Sequence, residues 1–141
     1  MSEGGRNLTE PEAYELIAGY GIPIPRFGVA RNVEEAAAVA VSIGYPVVLK
    51  VISPHILHKS DVGGVQVGIS STSDLKNAYE EILLSVSRKC PDARIDGMLV
   101  AGMAGAERRQ AKRSLSPPLE VIVGAVKDPE FGHAVMFGLG G

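Results

Sequence analysis

The stretch Pro46-Val47-Val48-Leu49-Lys50-Val51-Ile52 constrains the fold more than any other part of the chain. It is an almost unbroken β-branched and aliphatic run, which reads as a strand buried on both faces. Lys50 is out of place inside it. A second strand, Val65-Gln66-Val67-Gly68-Ile69, is entered through the pair Gly63-Gly64, so the two runs are joined by a glycine-containing turn.

Helices flank these strands. Thr9-Glu10-Pro11-Glu12 has the form of a capping box with proline in the first turn. Leu8, Ala13, Leu16, Ile17 and Tyr20 then share one face of a helix that stops at Gly21, ahead of Pro23 and Pro25. A short extended piece spans Phe27–Ala30. Asn32, with Glu35 three residues on, caps a second helix ending at Gly44, and its Ala36-Ala37-Ala38 run allows close packing on a sheet. Ser73 is the expected cap of a long third helix from about Asp74 to Arg88. Met98–Val100 is a short strand. Leu119–Val126 and Ala134–Phe137 form a hairpin turned by Lys127-Asp128-Pro129-Glu130. Some strands are hairpin-linked and others helix-linked, which favours an α+β domain over a doubly wound sheet. Residues 1–7 read as a flexible tail, and 8–141 as one domain.

Composition closes off several function classes. The 141 residues are 45% hydrophobic and 21% charged, as in an ordinary globular chain. Aromatics are 5% with no Trp, and the net charge is −2, so nucleic acid is a disfavoured partner. Cys90 is the single cysteine, which excludes an internal disulfide and suits a reducing compartment. There is no membrane-spanning run and no apolar signal-like start, so a cytoplasmic location is expected. The polar, basic segment Gly105–Ser116 reads as a surface loop insertion.

The candidate chemistry lies at Lys50 and His58-Lys59-Ser60-Asp61-Val62-Gly63-Gly64-Val65. A lysine at the end of a strand sets a cation beside a turn whose glycines let N–H groups approach an anion. That combination makes a cradle for nucleotide phosphates, although an ordinary bulged hairpin fits the Gly-Gly turn equally well. Neither the P-loop nor the dinucleotide glycine pattern occurs. His55 and His58 have no clustered third ligand, so no metal site is expected.

Several segments carry a resemblance. They are Leu8-Thr9-Glu10 through Tyr20-Gly21-Ile22-Pro23, then Gly44 to Lys50, Ile52 to Val65, Glu120 to Gly124, Asp128 to Gly132 and Val135 to Gly141. Together they resemble the ATP-grasp part of the ADP-forming acyl-CoA synthetases (acetate–CoA ligase, ADP-forming), the β subunit where the enzyme is split. The resemblance implies an ATP-grasp-like α+β fold with a small lobe and the beginning of the second. It implies interconversion of acyl-CoA, ADP and phosphate with a free acid, CoA and ATP, through an acyl phosphate and a phosphohistidine. On that basis His58 is the candidate phosphoryl relay. Lys50, Lys59, Ser60, Asp61, Gly63, Gly64, Val65, Val100 and Glu120 are the candidate ATP/ADP-binding residues.

The pattern also departs from the family. Relatives continue past Gly141 into a strand bearing Mg²⁺ ligands, so Mg²⁺ is expected for the family with its ligands missing from this chain. The CoA-binding and ligase domains are absent, so activity in isolation is not expected. The implied partner is a CoA-binding or ligase subunit, or the missing ATP-grasp lobe. The connection Ala101–Pro118 is longer than usual, and Ala101 replaces a polar residue. The alternative reading is a non-catalytic ATP-grasp remnant, or an interaction module for a ligase or acetyltransferase partner. Its last two strands are expected to leave an unpaired edge.

Overall fold

The computed structural model describes residues 8–103 and 121–139. They fall into two compact units, within Met1–Ala106 and Glu107–Gly141. The tail 1–7, the insertion Gly105–Ser116, Leu119, Glu120 and Gly140-Gly141 lie outside the described residues.

The first unit runs α1(Glu10–Gly19), β1(Phe27–Ala30), α2(Val33–Ile43), β2(Val47–Ile52), β3(Val65–Ile69), α3(Thr72–Lys89), β4(Gly97–Gly102). Its sheet has the order β1-β4-β2-β3, with every neighbouring pair antiparallel. This is the expected α+β architecture.

The core lies on one face of that sheet. Val47, Leu49 and Val51 alternate along β2, all fully buried, and meet Ala36 and Ala40 of α2 and Leu75, Ile82 and Val86 of α3. Each buried Val, Leu or Ile contributes about 1.5–3 kcal/mol relative to exposure. The small side chains on α2 let its backbone come close to the strands, as its alanine run predicts.

Burial on both faces of β2 is only partly realised. Val48 and Lys50 are half-buried, on the face opposite Val47, Leu49 and Val51. Period-2 alternation therefore puts the lysine where a polar group can reach it, outside the apolar core.

Two helix expectations need correcting. The cap of α3 is Ser71, whose Oγ accepts from the Asp74 N–H at 3.1 Å, and Ser73 lies inside the helix. Ser70-Ser71-Thr72-Ser73 offers four hydroxyls in a row, and propensity does not choose among them. The apolar stripe of α1 is not a buried face: Leu16 is 53% exposed, Tyr20 is 79% exposed, and Pro11 is the buried residue of this helix. Periodicity marks which side is apolar, not what covers it. The start and stop signals do hold. Glu12 accepts from the Thr9 N–H and hydroxyl, both at 2.8 Å, and Gly21 takes φ +76° just past the helix end.

The second unit is a hairpin of β5(Val121–Asp128) and β6(Gly132–Leu139). Its strands run further toward the turn than the sequence suggests. Asp128 Oδ1 holds the turn by accepting from the N–H groups of Glu130 and Phe131, both at 2.8 Å. Among the described residues this sheet has two strands, so each has an unpaired edge, and Val123, Val135 and Phe137 are exposed.

Candidate functional site

Lys50 reaches from β2 to the first turn of α1, where its Nζ donates to Glu10 Oε1 at 2.5 Å. Lys59, from the β2–β3 connection, lies 3.6 Å from Glu10 Oε2. The Tyr14 hydroxyl, one helical turn on, donates to Glu10 Oε1 at 3.0 Å. Tyr14 is braced in turn by an edge-on contact with Phe27 of β1, the ring centres 5.2 Å apart. Two expected phosphate-binding lysines thus converge on one carboxylate.

The electrostatics follow from that convergence. Burial pushes the Glu10 carboxyl up. The hydrogen bond and charge of Lys50, with Tyr14 and Lys59 added, outweigh burial and hold it below the ordinary value of 4.5. The phenol of Tyr14 is pushed up to about 12 by burial, by the Glu10 charge and by its bond to Glu10. Glu10 also opens α1, where the helix dipole favours a negative charge.

The β2–β3 connection is a tight, internally bonded loop. The Gly63 N–H donates to the Ser60 carbonyl at 3.1 Å, the Gly64 N–H to the Lys59 carbonyl at 2.7 Å, and the Val51 N–H to the Gly64 carbonyl at 2.8 Å. The N–H groups of Gly63 and Gly64 themselves are thus engaged within the loop. In the connection before them, the N–H groups of Leu57, His58, Lys59, Ser60, Asp61 and Val62 make no hydrogen bond to another described residue. Both glycines are also required sterically. Gly63 has φ +70°, and a Cβ there would collide with Ser85 Oγ; one at Gly64 would lie 2.6 Å from Val51 Cγ1. Helix α3 holds the loop from outside: Ser85 Oγ donates to the Val62 carbonyl at 2.8 Å and Lys89 Nζ to the Asp61 carbonyl at 2.9 Å.

The other expected residues are placed as follows. Val65 pairs with Lys50 across β2–β3. Ser60 and Asp61 are exposed on the loop. His58 is exposed just before it and, among the described residues, has no hydrogen-bond or ion-pair partner. Val100 is not brought to the lysines. It is fully buried in the core, while its neighbour Leu99 pairs with Lys50. Glu120 lies outside the described residues. A cavity of about 140 Å³ beside the lysines is lined in part by Glu10, Ile52, Ser53, Leu57 and Lys59. A larger one of about 600 Å³, which includes the exposed Arg94–Asp96 pair, contains none of the expected residues.

Glu10 and Tyr14 escaped sequence reasoning. Glu10 is forty positions from Lys50, and its local role as a first-turn acid was explanation enough. The usable signal was Lys50 itself, because a cation in a buried strand demands a counter-charge. No group of three or more His, Cys, Asp or Glu side chains is gathered for a metal among the described residues, and Glu10 is engaged by lysines.

The lobe and its lysine-bearing hairpin define a known class. An ATP-grasp domain family model matches residues 1–141, and the chain belongs to the ATP-grasp family. Within it, the chain is homologous to the ATP-grasp part of ADP-forming acyl-CoA synthetases. It is 46% identical over 136 residues to the acetate–CoA ligase [ADP-forming] I subunit beta of Pyrococcus furiosus, covering 96% of this chain and 54% of that one. It is 45% identical over 141 residues to the acetate–CoA ligase [ADP-forming] I of Archaeoglobus fulgidus, covering 100% of this chain and 19% of that protein. Among solved structures, the dinucleotide-forming acetyl-coenzyme A synthetase 1 of Ca. Korarchaeum cryptofilum, in complex with coenzyme A, Ca-AMPCP and HgCl⁺, superposes with a TM-score of 0.86 at 44% identity. That match covers 98% of this chain and 56% of that one. The chain thus spans about half the length of the subunit-type relatives. No helix among the described residues is long and apolar enough to cross a membrane.

Proposed function

We propose that this chain is the nucleotide-binding part of an ADP-forming acyl-CoA synthetase, working with a CoA-binding or ligase partner rather than alone. The carrying observation is the convergence of Lys50 and Lys59 on a single anionic group beside a tight glycine loop. A pair of ammonium groups that already holds a carboxylate has the charge and reach to hold the phosphates of ATP or ADP. Ser60, Asp61 and Val62 can add main-chain N–H donors, while Gly63, Gly64 and Val65 fix the loop's shape.

His58 is the group through which phosphate would pass. Its imidazole nitrogen attacks the terminal phosphorus of ATP, the bond from that phosphorus to the bridging oxygen breaks, and ADP leaves with the electron pair. The reverse transfer from phosphohistidine to ADP makes ATP. Lys50 and Lys59 stabilise the charge on the phosphate oxygens in both directions. His58 is exposed and no described side chain orients it, which favours a second reading, an ATP-grasp interaction module without catalysis.

Calorimetric titration of Mg-ATP into the full chain, with Lys50→Ala as control, tests the binding. Saturable binding lost in the variant supports the proposal; no binding by a folded chain, with or without partner subunits, refutes it. Partner-dependent turnover abolished by His58→Ala would remove the second reading.

A further inference from the structure

Helix α1 is poorly anchored for an element at the heart of a site. Its apolar residues Leu16 and Tyr20 are exposed, and it packs broadly on no other described element. What ties it to the sheet is the Tyr14–Phe27 edge contact, the buried Pro11, the half-buried Ala13 and Ile17, and the Glu10 carboxylate held by Lys50, Lys59 and Tyr14. The same two ammonium groups are the ones proposed to receive phosphate.

We infer that Glu10 is an internal anion that competes with ligand phosphate for Lys50 and Lys59, and that ligand binding therefore unlatches α1 from the sheet. This rests on the phosphate reading of the lysine pair. Glu10 occupies at least one donor of Lys50 and halves the net positive charge of the pair. An incoming polyphosphate meets the residual carboxylate as a like charge unless the helix turns it away. A polyphosphate brings the two ammonium groups more negative charge than the single carboxylate whose two oxygens they divide. The Tyr14 hydroxyl is the partner Glu10 keeps when it lets the lysines go, because the two sit one turn apart on the same helix. Glu10 thus sets affinity for the anion, and the helix reports occupancy of the site.

The test compares the full-length wild type with Glu10→Gln, which is the same size and has lost only the charge. ATP and inorganic tripolyphosphate are titrated separately, and amide hydrogen exchange of residues 13–19 is followed with and without each. The expected result is about tenfold tighter binding of both anions to E10Q, equal to about 1.4 kcal/mol. In the wild type, α1 exchange rises when either anion binds; in E10Q it is already fast without ligand. Glu10→Asp should restore slow exchange in part.

Equal or weaker binding by E10Q, with a wild type that binds ATP, overturns the competition while sparing the nucleotide reading. Tripolyphosphate bound more tightly by E10Q, with no ATP binding to either protein, supports the competition and removes the nucleotide reading. Neither anion binding either protein removes both. Unchanged α1 exchange in ligand-free E10Q overturns the latch.

Discussion

Alanine at Gly63 probes whether α3 shapes the glycine loop. Gly63 sits at φ +70°, where an L-residue costs about 1–2 kcal/mol more than glycine. Its new Cβ would also collide with Ser85 Oγ and lie 3.1 Å from Ser85 Cβ. Ser85 must then swing away and give up its 2.8 Å bond to the Val62 carbonyl, a loss of about 1 kcal/mol. Gly63→Ala should therefore cost about 2–3 kcal/mol. In urea unfolding followed by far-ultraviolet circular dichroism, that lowers the midpoint by roughly 1–1.5 M at a slope near 2 kcal/mol/M. Ser85→Ala alone should cost about 1 kcal/mol. The double variant should be no worse than Gly63→Ala, because the same hydrogen bond is lost only once. The cycle then gives a coupling of about 1 kcal/mol. Additive losses would refute the argument, as would a Gly63→Ala cost below about 0.5 kcal/mol.

Three further outcomes are expected. Leu49→Ala, in the fully buried row of β2, should destabilise by about 2–5 kcal/mol in the same assay. Ser71→Ala should cost about 1 kcal/mol through loss of the α3 cap, while Ser73→Ala stays within about 0.5 kcal/mol; the reverse ranking would reinstate Ser73 as the cap. Because the folded-state pKa of Glu10 is lowered, its contribution to stability is complete above the ordinary value of 4.5 and is lost as pH falls through the lower folded value. Stability measured against pH in that acid range should fall more steeply in wild type than in Glu10→Gln.

The element order was legible in the sequence because its signals are local. Thr9 with Glu12, Asn32 with Glu35, and the Pro46–Ile52 run each specify structure within a few residues. The Lys50–Lys59–loop grouping was legible too, since one short connection joins β2 to β3. What stayed hidden depends on contacts distant in sequence. The Glu10 bond to Lys50 spans forty residues, and the bracing of the loop by Ser85 and Lys89 comes from a helix the local pattern describes only as amphipathic. Nothing in the string shows that the Ser60 and Lys59 carbonyls fold back onto the N–H groups of Gly63 and Gly64. Val100 joined the candidates by family pattern, and its burial follows from the strand order, which the sequence does not state.

That strand order has a consequence for how the chain comes off the ribosome. The inner strand β4 is the last of its sheet to be synthesised, yet β1 and β2 both pair with it. The β2–β3 hairpin can close early, but β1 must wait for a partner some seventy residues later, as in the register Phe27 to Ala101. Closing so long a loop makes this a slow-folding topology. Until Gly102 has emerged, β2 presents an open hydrogen-bonding edge where β4 will pair. Nascent chains stalled before β4 should therefore be chaperone clients and aggregation-prone, and release past it should end that vulnerability in one step.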